Sequence, residues 1–325
     1  MLNKESFFGY EHGIYAVDSG YERPLLAAIH LIVENGRVAI VDCGVNASLP
    51  RVEAALTHLG LRPQAVDYIL LTHVHLDHAG GAGAMMQAFP QARLIVHPRG
   101  ARHMIDPAKL VAGVSAVYGA EFVARVYGQL QPVAADRIVE AAHEQVIDLA
   151  GRKFTCLDTP GHARHHICFH DAGSNSIFSG DMFGISYRDM DVREGERLRQ
   201  FVFPTTTPVQ FEPAEMHASI DLLLARQPRY MYCTHFAQVD DLSTKGKTLH
   251  RLVSAHCNIA LQHRDAGGER HQRIKAGLGE LLQTEAETFG THLNPADLQQ
   301  LWAGDIELNA QGLGVWLDSG AVGAG

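Results

Sequence analysis

The sequence predicts an α/β fold followed by a helical C-terminal extension. Three observations carry this expectation. Short apolar runs of strand length alternate with turn signals and helical stretches from residue 13 to about residue 98. Strand-like runs return over 137–179 and again at 229–233. From about Ser243 onward the apolar residues recur at helical spacing, and the division between the two regions is read at 245/246.

In chain order, residues 13–43 read as strands. Residues 25–33 are mostly apolar, Glu34-Asn35-Gly36 makes a turn, and 38–41 is a short apolar run of the kind that forms a buried strand, ending at Asp42-Cys43-Gly44. Leu49, Val52, Ala55, Leu56 and Leu59 give 49–59 a helical period. Residues 68–71 are another buried-strand candidate, running straight into a histidine cluster. Residues 82–89 read as helix and 92–96 as strand, ended by His97-Pro98. The segment 99–135 breaks this rhythm, with Met104, Ile105, Tyr118, Phe122 and Tyr127 among small residues, and predicts two short capping helices. Strands resume at 137–139, 145–149, 153–157, 167–170 and 176–179. The segment 184–211 is long and irregular, which in a compact domain is usually functional or disordered. Residues 213–226 form an amphipathic helix through Met216, Ile220, Leu223 and Leu224, and 229–233 is the last strand. The tail is helical over 249–260, 273–288 and 295–302, with Asn294 as N-cap and Pro295 at the first helical position, and 322–325 read as a frayed end.

Composition narrows the function classes. The 325-residue chain is 46% hydrophobic and 19% charged, which suits one large domain or two smaller ones. Its net charge of -9, from 27 Lys+Arg against 36 Asp+Glu, argues against a broad nucleic-acid surface. Five cysteines lie far apart with no C-x-x-C pair, which argues against a disulfide scaffold and for a reducing compartment, expected to be the cytoplasm. Residues 1–8 contain no apolar leader core, and no apolar run reaches the length of a membrane span, so neither a signal peptide nor a membrane partner is expected. The expected partner is a small-molecule substrate, and a homodimer stays open. The feature that stands out is 20 histidines, whose placement decides whether they matter.

The strongest signal is Thr72-His73-Val74-His75-Leu76-Asp77-His78-Ala79-Gly80-Gly81, directly after an apolar strand. His73 and His75 are two apart, so in an extended segment they share one side. Asp77 and His78 follow as the chain bends towards the next helix, so one loop can serve two metal ions. Three more candidates stand at the ends of predicted strands: His162 after Pro160-Gly161, Asp181 after Gly180, and His235 after Thr234. Singly each is weak, but strand ends on one edge of a sheet converge in space. Imidazoles and carboxylates suit zinc, with iron and manganese compatible.

This set resembles the metallo-β-lactamase superfamily of hydrolases, over about residues 10–240 and in chain order. The resemblance implies an αβ/βα four-layer sandwich, with 1–245 as the catalytic domain and 246–325 as the helical extension. It implies a first metal on His73, His75 and His162, a second on Asp77, His78 and His235, and Asp181 bridging both, with Asp77 and Asp181 as the catalytic carboxylates. Asp42 matches the family's first acidic position and would orient a ligand histidine by hydrogen bonding. Two divalent ions about 3.5–4 Å apart, expected to be zinc, would share a hydroxide that attacks an ester, thioester or lactone carbonyl.

Within that family, histidine rather than glutamate at position 75 argues against the flavodiiron oxidoreductases, and Asp181 argues against the true two-metal β-lactamases. Glyoxalase-II-like thioesterases, lactonase-like enzymes and mono-iron thiol or persulfide dioxygenases remain, as does a non-catalytic binding protein on the same fold. The substrate pocket is expected from 99–135 and 184–211, through Phe122, Tyr187 and Phe203, with His166 lining the site. Lys245, Lys247 and Arg251 read as a solvated basic helix face.

Overall fold

The computed structural model describes residues 6–319. The end expected to fray, 322–325, and residues 1–5 of the stretch inspected for a leader lie outside the described residues. The strands are β1 (Phe7–Gly9), β2 (Ile14–Asp18), β3 (Ala28–Glu34), β4 (Arg37–Val41), β5 (Val66–Leu70), β6 (Arg93–Val96), β7 (Ile138–Glu140), β8 (Val146–Leu149), β9 (Arg152–Asp158), β10 (Ile167–Asp171), β11 (Ser176–Gly180), β12 (Val192–Glu194), β13 (Arg197–Arg199), β14 (Tyr230–Cys233) and β15 (Ala237–Val239). The helices are α1 (Leu49–His58), α2 (Leu76–Ala79), α3 (Ala82–Ala88), α4 (Pro98–Ile105), α5 (Ala108–Tyr118), α6 (Ala120–Val126), α7 (Pro213–Ala225), α8 (Leu242–Gln262), α9 (Arg270–Phe289), α10 (Pro295–Leu301) and α11 (Ala303–Asp318).

The chain forms two compact units. The first holds the chain through Asp158, then His165–Gly180 and Pro228–Gln238, and the second holds Thr159–Arg164, Asp181–Gln227 and the chain from Val239 onward. No described helix is long and apolar enough to cross a membrane.

In the first unit, β1 to β7 form one sheet in chain order, antiparallel from β1 to β4 and parallel from β4 to β7. The β3–β4 turn follows directly from sequence: Asn35 and Gly36 both take positive φ, 47° and 74°, as a two-residue hairpin turn requires. The second sheet runs β15-β14-β11-β10-β9-β8. Strand β4 shows why the central strands read as unbroken apolar runs. Val38 and Ile40 pack with Val52 and Leu56 of α1, Met85 of α3 and Phe89 just after it. Ala39 and Val41 point the other way, into a core shared with Phe154, Phe169 and Phe178 of the second sheet. Both faces are covered, so period-2 alternation in polarity is absent.

The segment 99–135 holds α4, α5 and α6 rather than the two short helices expected. The difference has a local cause. Pro98, read as a strand terminator, is instead the first residue of α4, and the His97 side chain accepts from the Arg99 N–H at 2.9 Å. Gly119, at φ 88°, then separates α5 from α6. Although α5 is mostly apolar, none of its residues is buried.

In the second unit, 184–211 is largely irregular, as expected, but carries the β12–β13 hairpin and a bridge between Ile185 and Phe203. Buried Asn309 of α11 holds its backbone, accepting from Thr206 N–H at 2.7 Å and donating to Pro204 O at 3.2 Å. Gly312 lets the segment approach α11, because a Cβ there would overlap the Thr206 carbonyl. Asn294 caps α10, accepting from the N–H groups of Ala296 and Asp297, each at 3.0 Å. The basic face at 245–251 is not simply solvated. Lys245 is buried and its Nζ donates to Asp240 O at 2.6 Å, while Arg251 pairs with both carboxylate oxygens of Glu285 at 2.6 Å.

One buried histidine gives a testable consequence of the first unit's core. His30 on β3 is fully buried between the rings of Phe178 and Tyr232, and neither ring nitrogen has a hydrogen-bond partner. Burial lowers its pKa to about 4, against the opposing charge of Asp42. Its folded pKa is below its unfolded value of about 6.5. The neutral ring's contribution is therefore present above pH 6.5 and lost as pH falls towards 4. His30→Leu is expected to raise Tm more at pH 5 than at pH 7. An equal Tm change at both values would refute the titration account.

Candidate metal centre

The motif loop is built by the end of β5. After Leu70 the chain bends at Thr72, is extended at His75, and α2 begins at Leu76. The loop after β4 is laced to it: Cys43 N–H donates to His78 O at 2.6 Å, and Gly81 N–H to Gly44 O at 2.9 Å. A side chain at position 81 would sit 2.8 Å from the carbonyl oxygens of Cys43 and Val45, so glycine permits this approach.

Asp42 occupies the bend between these segments, fully buried and at φ 58°, a left-handed conformation that aspartate tolerates. Its carboxylate accepts from the Thr72 N–H at 2.9 Å, the Thr72 hydroxyl at 2.9 Å, the Thr234 hydroxyl at 2.7 Å and His78 Nδ1 at 2.8 Å. A carboxylate only accepts, so His78 carries its proton on Nδ1 and presents the Nε2 lone pair. His235 is fixed the same way, its Nδ1 donating to Leu26 O at 2.7 Å. Both Nε2 atoms face Asp77 Oδ2, at 3.5 Å from His78 and 3.3 Å from His235. One donor atom from each of Asp77, His78 and His235 lies within 4.8 Å of the others, a grouping that could hold a metal ion. The donor chemistry fits a divalent transition metal, with neutral imidazoles of pinned tautomer beside one carboxylate.

His73 and His75 bring Nε2 and Nδ1 to 3.0 Å of one another. Behind them lie two further histidines. His166, expected to line the site, is fully buried and packs its ring on His73 at 4.9 Å, with Cys168 Sγ 4.0 Å from its Nδ1. His165 was not singled out by sequence, yet its ring lies 5.7 Å from that of His75 and Val74 N–H donates to its Nδ1 at 3.4 Å. Burial, then neighbouring His75, pushes His165 down to about 3.

His162 and Asp181 belong to the second unit, where Asp181 Oδ2 lies 3.5 Å from His162 Nε2. The covalent chain carries them at the ends of β9 and β11. The His162 turn is pinned on α7: Glu212 N–H donates to Gly161 O at 2.8 Å, and the Ser219 hydroxyl to Pro160 O at 2.6 Å.

The aromatic pocket candidates are used in packing. Tyr187 is buried and its hydroxyl donates to both oxygens of Asp305, at 3.0 and 3.1 Å. Phe203 is fully buried against Tyr187, Phe201 and Trp302. Both are interior residues of the second unit, where the irregular segment packs its apolar side on Trp302 between α10 and α11. Phe122 stacks on Tyr118 at 5.4 Å and joins the cluster around Leu76, Tyr21 and Tyr127. There the hydroxyls of Tyr21 and Tyr127 meet at 2.8 Å, and both phenols are held above their ordinary range by burial and then by the charge of Asp77.

The sequence reading gave no role to Thr72 or Thr234. The signal was present: each is the Thr of a Thr-His pair at a strand end.

The sequence model of the metallo-beta-lactamase superfamily matches residues 23–235, well over half of the chain. This chain belongs to the metallo-β-lactamase superfamily. Its fold is the α/β sandwich of that superfamily with a C-terminal helical region. The metallo-beta-lactamase fold-containing protein ST1585 of Sulfurisphaera tokodaii is 27% identical over 202 residues, 61% of this chain and 68% of that protein. The solved structure described as ST1585 superposes with a TM-score of 0.62, covering 93% of this chain and 98% of that one at 23% identity. The metallo-beta-lactamase family protein TTHA1429 of Thermus thermophilus gives a TM-score of 0.66 over 94% of this chain and 93% of that one, at 21% identity. A hydroxyacylglutathione hydrolase of Stenotrophomonas maltophilia is 35% identical over 151 residues, 46% of this chain. The match spans only 43% of that hydrolase, so it relates part of the two chains.

Proposed function

We propose that this superfamily member is a two-metal hydrolase of ester, thioester or lactone carbonyls in small-molecule substrates. The observation that carries the reading is the pinned pair His78 and His235, whose Nε2 atoms converge on Asp77. In the proposed centre His73, His75 and His162 would hold one ion, Asp77, His78 and His235 would hold the other, and Asp181 would serve both. When bound, two divalent ions, proposed as zinc, activate a water near neutral pH and polarise the carbonyl. The chain's own part is positional. Asp42 fixes the His78 ring through Nδ1, Thr72 and Thr234 hold Asp42, and the Leu26 carbonyl fixes His235. The partial likeness to a hydroxyacylglutathione hydrolase supports the thioester arm.

The test is elemental analysis of protein purified without chelator and reconstituted with zinc, followed by ester, thioester, lactone and phosphodiester substrates. Two ions per chain and carbonyl cleavage are expected. A single iron per chain with oxygen consumed would replace the reading by a thiol-dioxygenase type.

A further inference from the structure

A second group of histidines lies in the other unit, on facing helices and outside the centre described above. His217 of α7 and His250 of α8 bring their Nδ1 atoms to 2.7 Å. Their rings are within 13° of parallel, with centres 4.9 Å apart. The nitrogens are much closer than the centres, so the rings meet edge to edge at Nδ1 rather than face to face. Asp221 Oδ1 lies 3.0 Å from His250 Nε2, and Ser254 Oγ lies 3.5 Å from His217 Nε2.

Proton bookkeeping defines what occupies the gap. Asp221 only accepts, so the tautomer of His250 it selects carries the proton on Nε2 and has a lone pair on Nδ1. His217 therefore supplies the proton between the two Nδ1 atoms. Burial and then His250 push the His217 pKa below its ordinary value, against Asp221, which keeps that ring neutral near pH 7.

We propose that His217 and His250 form a transition-metal dication site linking α7 to α8, in which the cation replaces the proton shared between their Nδ1 atoms. The His217 proton leaves Nδ1 and is retaken at Nε2, facing Ser254, so both rings bind as neutral imidazoles. Asp221 then holds the distal N–H of a ligating histidine, the arrangement that orients such ligands and raises their basicity. Two nitrogens on one tetrahedral ion, each at about 2.0–2.1 Å, stand roughly 3.3 Å apart, so the pair must open by roughly 0.6 Å and both rings must swing from their head-on setting until the Nδ1 lone pairs converge on the ion. The His250 side chain is 28% exposed and Asp221 73%, which leaves room for that shift and for waters to complete the shell. Imidazole donors select zinc, copper or nickel over magnesium or calcium.

The site does not depend on the proposed catalytic centre, and the test is a difference measurement that holds however many ions that centre takes. Protein already saturated at its tightest sites is dialysed against free zinc and analysed for metal. Wild type is expected to bind one more equivalent than His217→Ala or His250→Ala, and His143→Ala, removing an exposed histidine elsewhere, should match wild type. Asp221→Asn is expected to keep the stoichiometry and weaken the extra equivalent by about tenfold. Should the alanine variants not fold, His217→Gln and His250→Gln take their place, with circular dichroism as the check. Equal zinc content in wild type and folded His217 and His250 variants overturns the proposal.

Discussion

Asp181→Ala is expected to release both metal ions from the proposed centre and to abolish hydrolysis. Asp181 directly follows β11, is 5% exposed and lies 3.5 Å from His162. A carboxylate between two dications offsets their mutual repulsion, so its loss weakens both positions and not one alone. The ions account for several kcal/mol of transition-state stabilisation, which at about 1.4 kcal/mol per tenfold is a rate loss on the order of 10³ or more. Metal content per chain and kcat/KM are the readouts. A variant that kept both ions at wild-type affinity would show that Asp181 does not bridge them. Asp181→Asn separates charge from shape, because the amide oxygen can still ligate; intermediate occupancy is expected.

Replacing Asp42 is expected to have the largest effect on stability. Four donors converge on one buried carboxylate: the Thr72 N–H, two threonine hydroxyls and His78 Nδ1. Asp42→Ala removes their common acceptor, at about 1–3 kcal/mol for each buried group left unsatisfied, and puts a Cβ-only residue at φ 58°. These costs do not add in full, because the hydroxyls can turn to other acceptors, and a total loss of at least about 3–5 kcal/mol is expected, as for breaking a buried ion pair. Asp42→Asn keeps the size and tolerates the backbone, but its amide cannot accept from every donor. Its stability loss should be smaller, while metal affinity falls roughly 10–100-fold because the His78 ring is no longer held. Urea unfolding and competition with a metal chelator distinguish the two effects. Wild-type affinity in Asp42→Asn would mean that His78 needs no such support.

Some of this architecture was legible from local sequence. The Asn35-Gly36 turn was readable because positive φ at both positions is a residue-level requirement. The buried strands were readable as apolar runs because both their faces are covered. The four residues His73, His75, Asp77 and His78 were readable because they lie on one loop, where spacing alone brings side chains together. His162, Asp181 and His235 were readable only as strand-end residues, and it was the family resemblance that joined them to the loop.

What tertiary structure alone decided shares a physical cause: the partners are far apart in sequence. Thr234 reaches Asp42 across 192 positions, and no local pattern encodes that bond. Tyr187 finds Asp305 across 118 positions, a hydrogen bond from a packed interior group that no local pattern announces. That no residue of the mostly apolar α5 is buried was likewise set by tertiary packing. Lys245, read as part of a solvated face, is buried, and so is the imidazole of His30. Composition reports how much each side chain gains by leaving water. Which side chains leave water, and against what, is set by long-range packing, and the same packing turned scattered histidines into pinned tautomers aimed at one carboxylate.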